Sequence, residues 1–194
     1  VNFGFFIEND PRTLDMQNEW YYNPSTKKIR VYSVGSPSNV RTASVETLVA
    51  TAGNASYITF NNISFQGSNS STFNLYSSNY ISIRNCNISY SGIDGINANG
   101  TFIDIENNNI SFANDNAIKL SSSCSNSSII NNTLKSIGVI PGMTQTYSYG
   151  SISALGDNTL IQYNNIDSSG YIGIVFNGNN TKVKNNFINY SCLI

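Results

Sequence analysis

A six-residue pattern, apolar-x-Asn-x-x-apolar, returns through this chain at long, nearly regular intervals. It reads Ile83-Arg84-Asn85-Cys86-Asn87-Ile88, then Ile105-Glu106-Asn107-Asn108-Asn109-Ile110. It returns as Ile129-Ile130-Asn131-Asn132-Thr133-Leu134 and as Val183-Lys184-Asn185-Asn186-Phe187-Ile188. Two degenerate copies run from Ile58 to Ile63, with Phe60 at the asparagine position, and from Ile161 to Ile166, with Tyr163 there. The closing apolar residues at 63, 88, 110, 134, 166 and 188 are spaced by 25, 22, 24, 32 and 22. Such self-similarity marks an architecture of stacked repeats, in which each unit buries its apolar face against the next.

The repeat is built of strands. Tyr80-Ile81-Ser82-Ile83 and Phe102-Ile103-Asp104-Ile105 alternate at period two, and a second apolar position follows the closing residue by eight, at Ile96, Ile118 and Ile174. β-Branched residues and asparagine dominate, which disfavours helix. The expected fold is all-β: a single-stranded right-handed parallel β-helix of about six coils of ~22 residues. Equivalent strands of successive coils would pair about 4.8 Å apart. Ile would then stack on Ile, and Asn on Asn at an inward turn, so that buried amides satisfy one another. Ahead of the coils, Leu14 to Tyr22, the turn Asn23 to Lys27 and the return Lys28 to Tyr32 predict a β-hairpin, with Trp20, Tyr21, Tyr22 and Tyr32 as its packing face. The domain reading is 1–45 for the hairpin region and 46–194 for the solenoid. With Val1 at one end and strand-like sequence running to Ile194, a truncated piece of a longer protein is expected.

Composition narrows the function classes. The chain holds 32 Asn, 29 Ser and 24 Ile among 194 residues, too apolar for disorder and too amide-rich for a core without ordered amides. Net charge is −1 with 11% charged residues, which argues against a nucleic-acid partner. Histidine is absent, which excludes histidine triads and histidine metal sites. No run of ~18 apolar residues is present to span a bilayer. Cys86, Cys124 and Cys192 form no disulfide pattern and are expected as small buried hydrophobes.

The Asn-Asn-x-Ile coils resemble the right-handed β-helix repeat family, the pectate-lyase-like superfamily. Glu19-Trp20-Tyr21-Tyr22, followed by Lys28 to Tyr32 and then coils, is similar to secreted β-helix proteins of Bacteroidetes-type bacteria. The resemblance implies a secreted or cell-surface bacterial protein acting on or holding an extended polysaccharide. It implies a polysaccharide lyase or glycoside hydrolase, or alternatively a non-catalytic adhesin or glycan-binding module. A monomer is expected.

The candidate catalytic group is Asp94, Asp115 and Lys119, with Asn116 as a substrate-binding residue. Counted from each coil's closing isoleucine, Asp94 and Asn116 both fall at plus six and are expected to stack, with Asp115 and Lys119 one coil up from Asp94. Two carboxylates on adjacent coils would stand roughly 5–7 Å apart, near the acid–nucleophile separation of retaining glycosidases. In a lyase, Lys119 would be base or charge clamp, and Asp94, Asp115 and Asn116 offer the oxygen ligands that Ca²⁺ prefers. The competing view makes both aspartates turn residues. Tyr147 and Tyr149, in an insertion between Gly138 and Gly150 that accounts for the interval of 32, are expected with Tyr171 to line a sugar platform. Arg84 and Glu106 are expected to stack as an exposed ion pair.

Overall fold

The computed structural model describes residues 7, 10–140, 143 and 150–193. The chain divides into two compact units, Val1–Thr42 and Ala43–Ile194.

The first unit holds a short 3-10 turn, Pro11–Thr13, and an antiparallel hairpin of β1 (Trp20–Asn23) and β2 (Lys28–Val31). The Asn23 carboxamide oxygen caps the turn by accepting the Ser25 and Thr26 N–H groups, both at 3.0 Å. Register sets Trp20 against Val31 and Tyr22 against Ile29, while Tyr21 faces Arg30. Directly opposed residues share a face, so Tyr21 stands on the side away from Trp20 and Tyr22. The expected aromatic packing face is therefore split, and Trp20, Tyr22 and Tyr32 are exposed.

The second unit is a parallel β-solenoid of six coils, with no α-helix among the described residues. Each coil contributes one strand to each of three six-stranded parallel sheets. Sheet one runs from Ser56–Asn61 to Lys182–Lys184, sheet two from Ser64–Ser68 to Phe187–Asn189, and sheet three from Val49–Ala50 to Ile172–Phe176. The apolar columns fill the interior. Ile83, Ile105, Ile129 and Ile161 align on sheet one, Ile88, Ile110, Leu134 and Ile166 on sheet two, and Phe73, Ile96, Ile118 and Ile152 on sheet three. All twelve are at most 1% exposed, each worth about 2 kcal/mol of transfer free energy. Leu134 pairs with Ile166 across the 32-residue interval, so the insertion leaves the ladder and the coil resumes in register.

Two sequence expectations about register are corrected. In the first coil Phe65, not Ile63, pairs with Ile88, because Phe60 aligns with Ile83. The first interval is thus 23 rather than 25. The inward amide column is also one residue later than the asparagine of the six-residue pattern. Asn108, Asn132 and Asn164 are buried, and Asn186 continues their column. Their side-chain amides donate along it: Asn108 Nδ2 to Asn132 Oδ1 (3.0 Å), Asn132 Nδ2 to Asn164 Oδ1 (3.0 Å) and Asn164 Nδ2 to Asn186 Oδ1 (2.9 Å). The same oxygens accept the backbone N–H of the preceding coil's residue.

The position counted in the pattern turns the corner instead. Asn62, Asn85, Asn107, Asn131, Tyr163 and Asn185 all have φ between +53° and +58°. Asparagine tolerates this left-handed region because its short side chain bonds locally. The column points to solvent, which is why Tyr163 is accepted in it. Two further corners repeat the geometry, at Tyr57, Tyr80 and Phe102 ahead of the sheet-one core positions, and at Tyr90 and Phe112 on sheet two. There the rings stack along the solenoid. Tyr57–Tyr80 centroids lie 4.7 Å apart, Tyr80–Phe102 4.6 Å and Tyr90–Phe112 5.0 Å, with planes within 8° of parallel.

Candidate functional site

Asp94 and Asp115 lie on the turn that leads from sheet two into sheet three. Sheet-three register aligns Ile96 with Ile118 and Ile118 with Ile152, so Asp94, Asn116 and Gly150 occupy one column. The stacking expected of Asp94 and Asn116 is present. Asp94 Oδ1 accepts Asn116 Nδ2 at 2.8 Å and the Asn116 backbone N–H at 3.1 Å, and Ser71 Oγ donates to Asp94 Oδ2 at 3.4 Å. Asn116 Oδ1 in turn accepts the Gly150 N–H at 3.0 Å. This is a second, shorter ladder, with a carboxylate standing in for one amide.

All three residues are buried. Burial raises the Asp94 carboxyl, while the Asn116 amide and the Lys119 charge pull the other way. Asp115 is fully buried, and neither carboxylate oxygen has a hydrogen-bond partner among the described residues. Its carboxyl is pushed up to about 6, first by burial and then by the Asp94 charge, against a lowering from Lys119. An unpartnered buried carboxylate favours its neutral form. Lys119 is partly exposed on sheet three, in register between Asn97 and Ser153.

The structure therefore brings Asp94, Asp115, Asn116 and Lys119 together, but with the carboxylates inside the wall. Tyr171 is exposed immediately before the last sheet-three strand, Ile172–Phe176, and its carbonyl accepts the Cys192 N–H at 2.9 Å. Tyr147 and Tyr149 lie outside the described residues. Arg84 and Glu106 are register partners, yet no ion pair joins them among the described residues. The Arg84 guanidinium donates instead to Ser82 Oγ, at 2.9 Å from Nε and 2.6 Å from Nη2. Glu19 is engaged as a turn clamp, accepting the N–H groups of Asp15 and Met16 at 2.8 Å, which lowers its carboxyl. Cys86 and Cys124 are buried as expected; Cys192 is exposed.

Sequence reasoning passed over the outer face of sheet two. Ser64, Asn87, Asn109, Thr133 and Asn165 form one outward column of amides and hydroxyls in register, and Gln66, Ser89 and Ser111 begin a second. Asn109 Nδ2 donates to Asn87 Oδ1 at 3.1 Å, and Asn87 Nδ2 reaches Ser64 Oγ at 3.5 Å. Five uncharged groups thus repeat at the coil spacing of about 4.8 Å. The stacked rings of Tyr90 and Phe112 border them on one side, the corner asparagines Asn85, Asn107 and Asn131 on the other. The signal lies in the sequence, since the Asn-Ile-Ser triplets at 87–89 and 109–111 each write one outward amide, one core isoleucine and one outward hydroxyl, while the same triplet at 62–64 is two residues out of register. No family model, curated protein or solved structure matches the chain.

Proposed function

We propose that this chain is the glycan-binding part of a secreted or cell-surface β-helix protein of the pectate-lyase-like kind. On this reading it holds an extended, uncharged polysaccharide along sheet two without cleaving it. The observation that carries the reading is the outward column Ser64, Asn87, Asn109, Thr133 and Asn165, bordered by the Tyr90–Phe112 stack. A polymer lying parallel to the solenoid axis meets one amide or hydroxyl per coil, and these groups offer both donors and acceptors to sugar hydroxyls. The exposed edges and faces of the rings suit sugar C–H surfaces. The column itself carries no formal charge, and the one cation and one anion of the neighbouring outward column, Lys135 and Asp167, offset each other, which favours a neutral glycan.

The carboxylates fit this reading better than they fit catalysis. Asp94 already spends its oxygens on Asn116 and Ser71. The test is affinity electrophoresis in gels carrying neutral plant and algal polysaccharides, with reducing ends assayed in parallel. Retardation without new reducing ends, weakened by Asn109→Ala and by Tyr90→Ala, supports binding alone. No retardation in any gel would overturn it.

One observation favours a second reading, glycoside hydrolysis. Asp115, raised to about 6 by burial and by the Asp94 charge, holds its proton over mildly acidic pH, as a general acid must. New reducing ends that disappear in Asp115→Asn would establish it over the first.

A further inference from the structure

The aromatic stack on sheet two restricts how a ligand can lie beside it. Tyr90 and Phe112 succeed one another along the solenoid axis, with centroids 5.0 Å apart and planes within 8°. Each ring covers one face of the other. A chain running along the axis therefore meets their rims, the positive part of the aromatic quadrupole, where hydroxyl oxygens are attracted. The polar column next to the stack has hydrogen-bonding capacity to spare. Asn109 Nδ2 donates to Asn87 Oδ1 at 3.1 Å. Asn109 Oδ1, the Thr133 hydroxyl and the Asn165 carboxamide take no hydrogen bond within the protein among the described residues. Ser64, Asn87, Asn109, Thr133 and Asn165 are all exposed, one to each of the first five coils. In the sixth coil Phe187, 62% exposed, interrupts the column.

We propose that this face takes a β-1,4-linked chain of gluco-configured sugars, held edge-on, with one sugar to each of the five coils from Ser64 to Asn165. The proposal rests on the reading of sheet two as a neutral-glycan surface and gives that surface its ligand. In such a chain every hydroxyl is equatorial, so the hydroxyls line the two edges of a flat ribbon and the C–H groups cover its two faces. Amides, hydroxyls and ring rims are partners for an edge. The ribbon turns over at each linkage, so one edge shows different hydroxyls on successive sugars. A carboxamide or a hydroxyl both donates and accepts, and so suits either presentation. The advance per sugar exceeds the coil rise of about 4.8 Å by only a few tenths of an ångström. Counted from Asn109, the middle group, the mismatch at either end stays within about 1 Å, which exposed side chains absorb by small rotations. An α-1,4-linked chain of the same sugar winds, and carries its hydroxyls away from a straight column within a few residues.

The test is calorimetric titration of the chain with cello-oligosaccharides from the dimer to the heptamer, and with malto-oligosaccharides of the same lengths. Affinity for the cello series should rise about two- to tenfold with each sugar up to the pentamer and then level off, since each step adds one or two exposed hydrogen bonds. The malto series should bind more weakly at every length. Phe187→Asn, at an exposed position that continues the column, should move the plateau from the pentamer to the hexamer. Asn109→Ala should divide the column and flatten the rise beyond the dimer. Malto-oligosaccharides that bind as well as their cello counterparts overturn the linkage and leave the neutral-glycan reading standing. An affinity still rising at the heptamer, or level from the dimer onward, overturns one sugar per coil. Silence towards both series, with retardation in gels of another neutral polysaccharide, overturns this proposal alone. Silence in titration and gels together overturns the glycan reading as well.

Discussion

Asn132 and Asn164 are joined twice through a single oxygen: Asn164 Oδ1 accepts both the Asn132 side-chain amide and the Asn132 backbone N–H, each at 3.0 Å. The second amide proton of Asn132 goes to the Ile105 and Ile130 carbonyls, at 2.9 and 3.1 Å. One side chain therefore serves three coils, those of Ile105, Asn132 and Asn164.

Replacing Asn132 by Leu leaves the Asn108 N–H, the Ile105 carbonyl and half the acceptance of Asn164 Oδ1 without partners. At about 1–3 kcal/mol for each buried group left unsatisfied, the expected loss is at least ~3 kcal/mol. The adjacent Asn131, exposed at φ +53°, gives the contrast. Asn131→Gly keeps the left-handed corner and should move stability by less than about 1 kcal/mol. Urea unfolding of the two variants checks both; similar losses would mean that the ladder is not the main support.

These two neighbours also show what the sequence could convey. The isoleucine columns were legible because period-two alternation and a 22-residue spacing identify the same residues. The amide column was displaced by one because Asn107 and Asn108, or Asn131 and Asn132, are identical in type and only backbone φ separates corner from interior. Ile63 and Phe65 are not separable by pattern, because apolar residues two apart point to the same side of an extended chain and only the register sets Phe65 on Ile88. At the candidate site, spacing correctly stacked Asp94 on Asn116. It carried no information on depth, because the burial of that turn depends on neighbouring coils and not on its own residues.

The buried aspartates give a pH dependence with a definite sign. The folded-state carboxyl of Asp115 sits near 6, above its ordinary value of 3.8. Between those values the folded chain holds a proton that the unfolded chain has released, so stability falls as pH rises through this window. Asp115→Asn should flatten the fall and raise the melting temperature at pH 7. Asp94→Asn should be tolerated, since an amide oxygen can accept from Asn116 as the carboxylate does and its N–H can turn to Ser71. It should also lower the Asp115 carboxyl by removing a neighbouring charge. Melting curves from pH 4 to 8 test this; a stability that rises through the same window would contradict the assignment.

The ring stacks at the left-handed corners balance two effects of similar size. A positive φ costs a tyrosine about 1–2 kcal/mol, and each parallel ring contact returns about 0.5–1.5 kcal/mol. Tyr80 makes two such contacts, to Tyr57 and Phe102. Tyr80→Ala keeps the strain and loses both contacts, with an expected cost of about 1–3 kcal/mol. Tyr80→Gly loses the contacts but relieves the strain, so it should be the milder change. Chemical denaturation that ranks Ala as the milder of the two would remove the stack from the account.

Among the described glycines, Gly156 makes the closest approach to a neighbouring coil. A Cβ there would sit 1.2 Å from the Cys124 carbonyl oxygen, a backbone atom with no room to yield. Gly156→Ala should destabilise by more than about 3 kcal/mol or prevent folding, while Gly35→Ala, with open space around it, should not. Soluble yield and thermal melts of the pair decide the point.

Each strand of the solenoid pairs only with the strand one coil away, 22 to 34 residues distant. Nothing among the described residues ties the first coil to the last. Pulled from its ends, such a molecule should peel one layer at a time instead of yielding in a single rupture. A layer of 22 residues lengthens the chain by roughly 70–80 Å at full extension. The layer containing the insertion, 34 residues between Ile118 and Ile152, should give one release about half as long again, and its place in the series would report from which end the peeling began.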